Sequence, residues 1–158
     1  MNEPRLKYGQ LAPEGLVRMR ELEHYLNTGT GLEHTLLELV RLRASLMNGC
    51  EYCTDLHTEQ LKKLNETADR IAGVADWRGS DAYTKRERAA LAWTEAVTDI
   101  QDGHASDVVY DEVRGHFSDV ETVNLTLAIT TINGWNRIAI ALGAHSEHGA
   151  GKVQEMNQ

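Results

Sequence analysis

The chain has 158 residues and a formal net charge of −8 at pH 7, with 41% hydrophobic and 25% charged residues. This length and composition fit one soluble globular domain that buries its own core without disulfides or structural metals. The acidic balance argues against nucleic acid and anionic membrane surfaces as partners. The N-terminal sequence MNEPRLKYGQLAPEG lacks the apolar segment of a secretory signal, and no apolar run approaches the roughly 18 residues of a membrane span. We therefore expect a cytoplasmic protein.

Apolar residues recur at helical spacing along most of the chain, without the alternation typical of strands. The two prolines, Pro4 and Pro13, both lie near the start. Thr84 and Ser118 are each followed by a glutamate three residues later, the spacing of a capping box. Helices are predicted to begin after Pro13, to cover about 32–47, 50–64 and 67–76, to begin again after Thr84, to cover about 107–117, and to run from Ser118 to about 143.

The sequence therefore predicts an all-α fold, a helical bundle of about six or seven helices with the CxxC motif at the start of a helix. A single domain is expected over residues 1–158, with its core over about 15–145 and a polar, frayed tail from about Ser146. The last helix is almost apolar on every side, which requires burial. Two explanations stay open, a central core helix and a helix partly covered by another subunit.

The segment NGCEYCTDLH contains the only two cysteines, Cys50 and Cys53, followed by His57. In a helix that starts at Cys50, the cysteines lie one turn apart and His57 lies one turn further along the same face. The free amides and dipole of a helix N-terminus would lower the pKa of the Cys50 thiol, and the histidine could take up a thiol proton. The spacing thus provides an attacking sulfur, a second sulfur that traps the oxidised product, and a proton acceptor.

Several interpretations of this motif compete. A structural zinc site requires four ligands, usually two such pairs, and the chain has no second CxxC. A catalytic zinc would need both cysteines and His57 as ligands within two helical turns, which is an awkward geometry. A plain helix start with a hydrogen-bonded histidine is a further alternative. Because cytoplasmic thiols seldom form structural disulfides, we favour redox dithiol chemistry over a metal site.

Glu38 lies twelve residues before Cys50, in the preceding predicted helix. The dipeptide Asn48-Gly49 predicts a tight turn that folds the two helices into a hairpin. Glu38 could then face His57 across this hairpin and add a carboxylate to the site. The alternative is an exposed glutamate, the usual environment of this residue type.

Together these residues resemble a known family. Glu38, Cys50, Cys53 and His57, within SLMNGCEYCTDLHT, form the pattern E-x11-C-x2-C-x3-H of the carboxymuconolactone decarboxylase-like superfamily. Within it, the chain resembles the AhpD-like alkylhydroperoxidase branch. The stretches YTKRERAALAWTEAVT and INGWNRIAIALG are also similar to that branch, so that the resemblance covers roughly residues 15–145.

The resemblance implies an all-helical homo-oligomer, often a trimer or hexamer, and a peroxidase without haem, flavin or metal. Its partners would be a hydroperoxide substrate and a thiol or lipoyl-type reductant. Carried onto this chain, Cys53 becomes the sulfenic acid, Cys50 resolves it to a disulfide, and Glu38 and His57 relay protons. Tyr52 stands where AhpD has a second histidine, directly before the second cysteine.

Two other function classes stay open. Decarboxylases of the same superfamily act on a carboxylated lactone, but they generally lack the paired cysteines. A non-enzymatic thiol sensor would show reversible oxidation of Cys50 and Cys53 without turnover. Assays with a peroxide plus a dithiol, run beside an assay with the lactone, separate the three classes.

Overall fold

The computed structural model describes residues 4–144. Over these residues the chain forms eight α-helices and one short 3-10 helix, with no strand, which confirms the predicted all-α class. The predicted tail from Ser146 and the end of the predicted core at 145 lie outside the described residues. The α-helices are α1 (Tyr8–Leu11), α2 (Pro13–Thr28), α3 (His34–Asn48), α4 (Glu51–Lys63), α5 (Ala68–Gly73), α6 (Lys85–Thr98), α7 (Asp107–Arg114) and α8 (Asp119–Leu142), and the 3-10 helix spans Val74–Gly79.

The helix count differs from the predicted six or seven in two places. The four-residue α1 precedes Pro13, and it is too short to produce a periodic pattern. The helix predicted over 67–76 ends at Gly73 and continues as the 3-10 helix, in which Asp76 has a non-helical backbone conformation. Among the remaining helices the largest difference is at α7, which ends at Arg114 rather than near 117.

Both predicted capping boxes are present. The hydroxyls of Thr84 and Ser118 each accept a hydrogen bond from the backbone N–H of the glutamate three residues later. The carboxylate of that glutamate accepts the backbone N–H of the cap residue in return. These bonds satisfy amides that have no partner inside the helix, which explains why α6 and α8 begin where the sequence predicts.

Helix α3 lies at the centre of the bundle and packs against α4, α6 and α8. Its Leu37, Leu39 and Val40 have no exposed surface. One side of α3 joins an apolar cluster with α2, α6, α7 and α8, and the other side joins a cluster with α4, α5 and the 3-10 helix. Burial of each such side chain stabilises the fold by about 2 kcal/mol. The site residues on α3 therefore have a rigid support.

A tight turn at Asn48 and Gly49 joins α3 to α4. Gly49 has a φ of 67°, a left-handed conformation that glycine adopts without a steric penalty. The amide of Cys50 donates to the carbonyl oxygen of Ser45 at 3.0 Å and closes the end of α3. The turn thus fixes the backbone of Cys50 directly before α4.

Helix α8 is buried on one face only. Leu125 and Ile129 are fully buried, whereas Val120, Val123 and Leu127 remain 68%, 60% and 36% exposed. Their spacing of three and four residues places these three side chains in one stripe along the helix. Of the two explanations left open for this helix, complete burial in the core of a single chain is therefore wrong, and coverage of its outer face by another subunit stays a prediction. None of the helices over residues 4–144 is both long and apolar enough to cross a membrane.

Candidate functional site

Cys50 and Cys53 form a disulfide at the start of α4, with their Cα atoms 5.3 Å apart. Cys50 is the N-cap residue, and its sulfur accepts the backbone N–H of Cys53 at 3.3 Å. The predicted position of the CxxC motif at a helix start is confirmed. Only 2% of Cys50 and 3% of Cys53 are exposed, so both sulfurs lie beneath the surface of the chain.

Glu38 and His57 are in direct contact across the hairpin of α3 and α4. The carboxylate atom Oε2 lies 2.8 Å from Nδ1 of the imidazole, and both residues are buried. The expected contact is present, and the alternative of an exposed glutamate is wrong. An ionised carboxylate has no proton to give, so Nδ1–H donates, and whenever the ring is neutral its basic nitrogen is Nε2. The roles of both residues in catalysis stay predictions.

Arg41 extends this pair, although no feature of the sequence had singled it out. Its Nη1 donates to Oε1 of Glu38 at 2.6 Å, and its Nη2 donates to Glu23 at 2.6 Å and to Asn27 at 2.9 Å. The spacing of Glu38 and Arg41, three residues apart on one helix, is a signal that could have identified their contact. Glu23 and Asn27 reach the site from α2 through tertiary packing, for which the sequence holds no local signal.

The surroundings of Glu38 keep its carboxyl group ionised. Burial alone would raise its pKa. The hydrogen bond and positive charge of His57, together with the guanidinium of Arg41, outweigh burial and hold the pKa of Glu38 below its ordinary value of 4.5. Glu38 is therefore a hydrogen-bond acceptor for both partners at neutral pH.

We expect Glu38 to contribute to stability in a pH-dependent way. Folding lowers the pKa of Glu38, so its contribution to the free energy of unfolding is present above about pH 4.5. This contribution is lost as the pH falls through the lower pKa of the folded state. Glu38→Gln should reduce the free energy of unfolding by about 1–3 kcal/mol at neutral pH. This difference from the wild type should shrink in acid, as measured by urea titrations between pH 7 and pH 3. A difference that stays constant over that range would contradict the expectation.

Amide side chains, one half-buried and two buried, tie the turn before Cys50 to α8. Nδ2 of Asn48 donates to the side-chain oxygens of Asn133 and Asn136, each at 2.9 Å. Nδ2 of Asn136, which is completely buried, donates to the hydroxyl of Ser45 at 3.1 Å. A buried polar network with its bonds satisfied favours one arrangement of the chain. The network therefore holds the turn, and with it Cys50, in place.

A cavity of about 180 Å³ opens beside Cys50. Residues 49–52 line one side, and Ala139 and Ile140 of α8 are among the residues on the other side. Tyr52 is half-buried here, and burial, followed by the charge of Tyr8, raises the pKa of its phenol. Tyr52 therefore keeps its proton near neutral pH and offers a hydrogen-bond donor rather than a base.

A larger and mainly apolar groove of about 320 Å³ lies between α3, α4 and α5. Thr54 and Thr58 line it from α4. On an ideal helix these positions are rotated by about 100° from those of Cys53 and His57. The larger groove thus opens on another side of α4, and we assign the candidate site to the smaller cavity beside the disulfide.

The zinc interpretations of the CxxC motif require three or four ligands close together. Among residues 4–144, no three His, Cys, Asp or Glu side chains are arranged to hold a metal ion. The metal-free function stays a prediction, which the chelation experiment proposed below tests directly.

Comparison with known proteins finds relatives over most of the chain. Residues 11–96 match the model of the carboxymuconolactone decarboxylase family. The uncharacterized protein YdfG of Bacillus subtilis is 40% identical over 139 residues, which make up 88% of this chain and 94% of YdfG. This similarity extends well beyond the CxxC motif.

Solved structures agree with this relationship. A protein of unknown function from Agrobacterium tumefaciens, described as a candidate antioxidant defence protein AhpD, is 39% identical, with a TM-score of 0.87 over 90% of this chain and 97% of that one. The debrominase Bmp8 is 19% identical, with a TM-score of 0.80 over 94% of this chain and 80% of that one, a likeness of fold alone. The family match, the identity to YdfG and the structure from Agrobacterium tumefaciens show that the chain belongs to the carboxymuconolactone decarboxylase family, in its AhpD-like branch.

Proposed function

We propose that the protein is a thiol-dependent peroxidase that reduces hydroperoxides through the Cys50–Cys53 pair, with Glu38 and His57 as its proton relay. The observation that supports this most directly is the disulfide at a helix start together with a buried carboxylate–imidazole pair on the same hairpin. A structural disulfide has no use for a buried acid–base pair beside it. A redox cycle needs one, because each step moves a proton.

Oxidation begins at the reduced pair. His57 takes the proton of the Cys53 thiol, Glu38 stabilises the resulting imidazolium, and the thiolate attacks the terminal oxygen of the hydroperoxide. The O–O bond breaks, Cys53 becomes a sulfenic acid, and the leaving alkoxide takes up the proton and departs as an alcohol, or as water when the substrate is hydrogen peroxide. The Cys50 sulfur then attacks the sulfenic sulfur, water leaves, and the disulfide closes.

The disulfide must then receive two electrons and two protons from a thiol partner. Both sulfurs are almost fully buried, and the cavity beside Cys50 is small. A small thiol or a lipoyl group on a flexible arm therefore reaches the disulfide more easily than the surface of a folded protein does. Such reductants are kept reduced in the cytoplasm, where we place the protein.

Steady-state turnover tests the proposed function. Hydrogen peroxide and an organic hydroperoxide are offered with dithiothreitol, dihydrolipoamide or glutathione as the electron donor. We expect turnover with the dithiol donors, and no loss of turnover on chelation. Release of stoichiometric zinc with loss of activity would instead support a catalytic metal. Decarboxylation of carboxymuconolactone without peroxide turnover would favour the decarboxylase class, and reversible disulfide formation without turnover would favour a sensor.

The exposed stripe of α8 supports a further part of the proposal, assembly into a trimer or hexamer. Val120, Val123 and Leu127 present a contiguous apolar surface to water. A surface of this kind is stabilised when a second copy of the chain covers it. The resemblance to the AhpD-like branch independently implies a trimer or hexamer.

Light scattering at micromolar concentration is expected to give the mass of several protomers. Val123→Glu should shift that mass toward a single chain, because a carboxylate buried in an apolar interface without a partner costs several kcal/mol. Val108→Glu provides the matched control, because Val108 lies on α7, outside the stripe, and is 78% exposed. A wild-type protein with the mass of one chain would contradict the assembly.

A further inference from the structure

We propose that Arg41, anchored by Glu23 and Asn27, is a positioning residue that holds one oxygen of Glu38 and leaves the other oxygen to His57. The inference deepens the proposed function and rests on it, since it concerns the same acid–base pair. It adds helix α2, which carries Glu23 and Asn27, to the elements that shape the site.

Each oxygen of the Glu38 carboxylate has its own partner. Oε1 accepts from Nη1 of Arg41 at 2.6 Å, and Oε2 lies 2.8 Å from Nδ1 of His57. The other end of the guanidinium is held as well, since Nη2 donates to Glu23 at 2.6 Å and to Asn27 at 2.9 Å. Arg41 therefore cannot rotate away from Glu38 without losing its bonds to α2.

Stability alone is a poor explanation for Arg41. Only 2% of the residue is exposed, and its Nε is the one fully buried side-chain nitrogen or oxygen without a hydrogen-bond partner among residues 4–144. Apolar side chains of similar volume commonly stabilise a core as well as buried ion pairs do. A charged side chain at this position is better explained by its effect on Glu38.

The fixed orientation of Glu38 has a chemical consequence at His57. A carboxylate that is free to turn about its last bond offers either oxygen, in many orientations. With Oε1 bound to Arg41, Oε2 meets Nδ1 in one geometry, which sets both the tautomer and the direction of the imidazole ring. Lysine has the same charge but a single nitrogen, so it cannot bridge Glu23 and Glu38 in the planar fork geometry of arginine.

A double-mutant cycle between Arg41→Lys and Glu38→Gln tests the inference. The reduced protein reacts with one equivalent of hydrogen peroxide, and the rate of disulfide formation is measured in a single turnover. Arg41→Lys should slow this rate about tenfold in the wild-type background and less than about twofold in the Glu38→Gln background. An equal loss in both backgrounds would show that Arg41 acts independently of Glu38 and would overturn the inference.

Two further variants keep the experiment decisive. Arg43→Lys, two residues along α3, alters an arginine that binds Glu95 and the carbonyl oxygen of Ala75, and it should leave the rate unchanged. If circular dichroism shows that Arg41→Lys does not fold, Glu23→Ala replaces it in the cycle, because Glu23 is partly exposed. The decrease in rate caused by Glu23→Ala should likewise vanish in the Glu38→Gln background. A decrease that persists there would overturn the inference.

The reaction of Cys53 with iodoacetamide separates this inference from the proposed function. The alkylation rate reports the thiolate without any peroxide chemistry. If peroxide does not oxidise the wild type but the alkylation rates show the same coupling between Arg41 and Glu38, the peroxidase proposal fails and the positioning role stands. If peroxide oxidises the wild type and neither reaction shows coupling, the positioning role fails and the peroxidase proposal stands.

Discussion

Hydrogen peroxide is expected to oxidise Cys50→Ser to a sulfenic acid at Cys53 and to leave Cys50 of Cys53→Ser largely unmodified. His57 lies one helical turn from Cys53 and two turns from Cys50, so it is better placed to take the Cys53 proton. Without Cys50 the sulfenic acid has no resolving thiol, and it should persist or oxidise further to the sulfinic state. Both variants should lose steady-state turnover with a dithiol by more than about 10³-fold.

A competing assignment follows from the start of α4. The Cys50 sulfur accepts the backbone N–H of Cys53 at 3.3 Å, and such a bond at a helix N-terminus stabilises a thiolate. By this criterion Cys50 is the more acidic thiol and the better candidate for the attack on peroxide. The two assignments predict opposite patterns of modification in the two variants.

Mass spectrometry with a sulfenic-acid trap decides between them after one equivalent of peroxide. An adduct on Cys53 in Cys50→Ser, with none on Cys50 in Cys53→Ser, supports the proposed roles. The reverse pattern exchanges the roles of the two cysteines. If neither variant gives an adduct, a sensor or a structural disulfide becomes the better explanation of the pair.

Most of the fold could be predicted because it depends on local signals. The capping boxes at Thr84 and Ser118 and the Asn48-Gly49 turn act over a few residues, and each is present as predicted. The short α1 and the 3-10 helix were missed because neither contains enough turns to produce a hydrophobic period. A helix that is apolar on every side does not reveal which face meets the core, so the sequence left open both a central core helix and a helix partly covered by another subunit. The exposed stripe of α8 excludes complete burial of this helix within one chain.

The contacts of the candidate site also fall into those that local sequence predicts and those that depend on tertiary packing. The contact of Glu38 with His57 could be predicted from one tight turn and two helices, because a hairpin brings those positions together. The bonds from Arg41 to Glu23 and Asn27 depend on how α2 packs against α3, which no local pattern specifies. The amide network of Asn48 with α8 has the same origin.

These bonds change what a substitution of Glu38 is expected to do. From the sequence alone, Glu38→Gln should leave stability almost unaffected while it lowers the rate. In the structure, Glu38 is buried against the positive charge of Arg41, so the substitution also affects folding. Rate and stability must therefore be measured side by side, with a variant that loses a comparable ion pair elsewhere in the chain.

Glu38→Gln is expected to lower the rate of peroxide reduction by about 10²–10⁴-fold through the tautomer of His57. Nη1 of Arg41 can only donate, so it selects the amide oxygen of the glutamine and turns the amide NH₂ toward Nδ1. The imidazole must then accept a hydrogen bond at Nδ1 and carry its proton on Nε2. In this tautomer Nε2 cannot take up the proton of the thiol. The loss should appear in the rate constant for oxidation of the reduced pair, and the pH–rate profile of the variant should differ from that of the wild type.

Glu95→Gln provides the matched control for this prediction. Glu95 is partly buried and binds Arg43, Arg78 and the indole N–H of Trp77, with no bond to Glu38 or His57. Its replacement removes ion pairs of similar geometry, so it should lower the melting temperature to a similar degree without changing the pH–rate profile. If Glu38→Gln keeps the wild-type rate and profile once both variants are compared at equal folded fraction, Glu38 serves only to hold α3 against α4, and the proton relay through His57 does not depend on it.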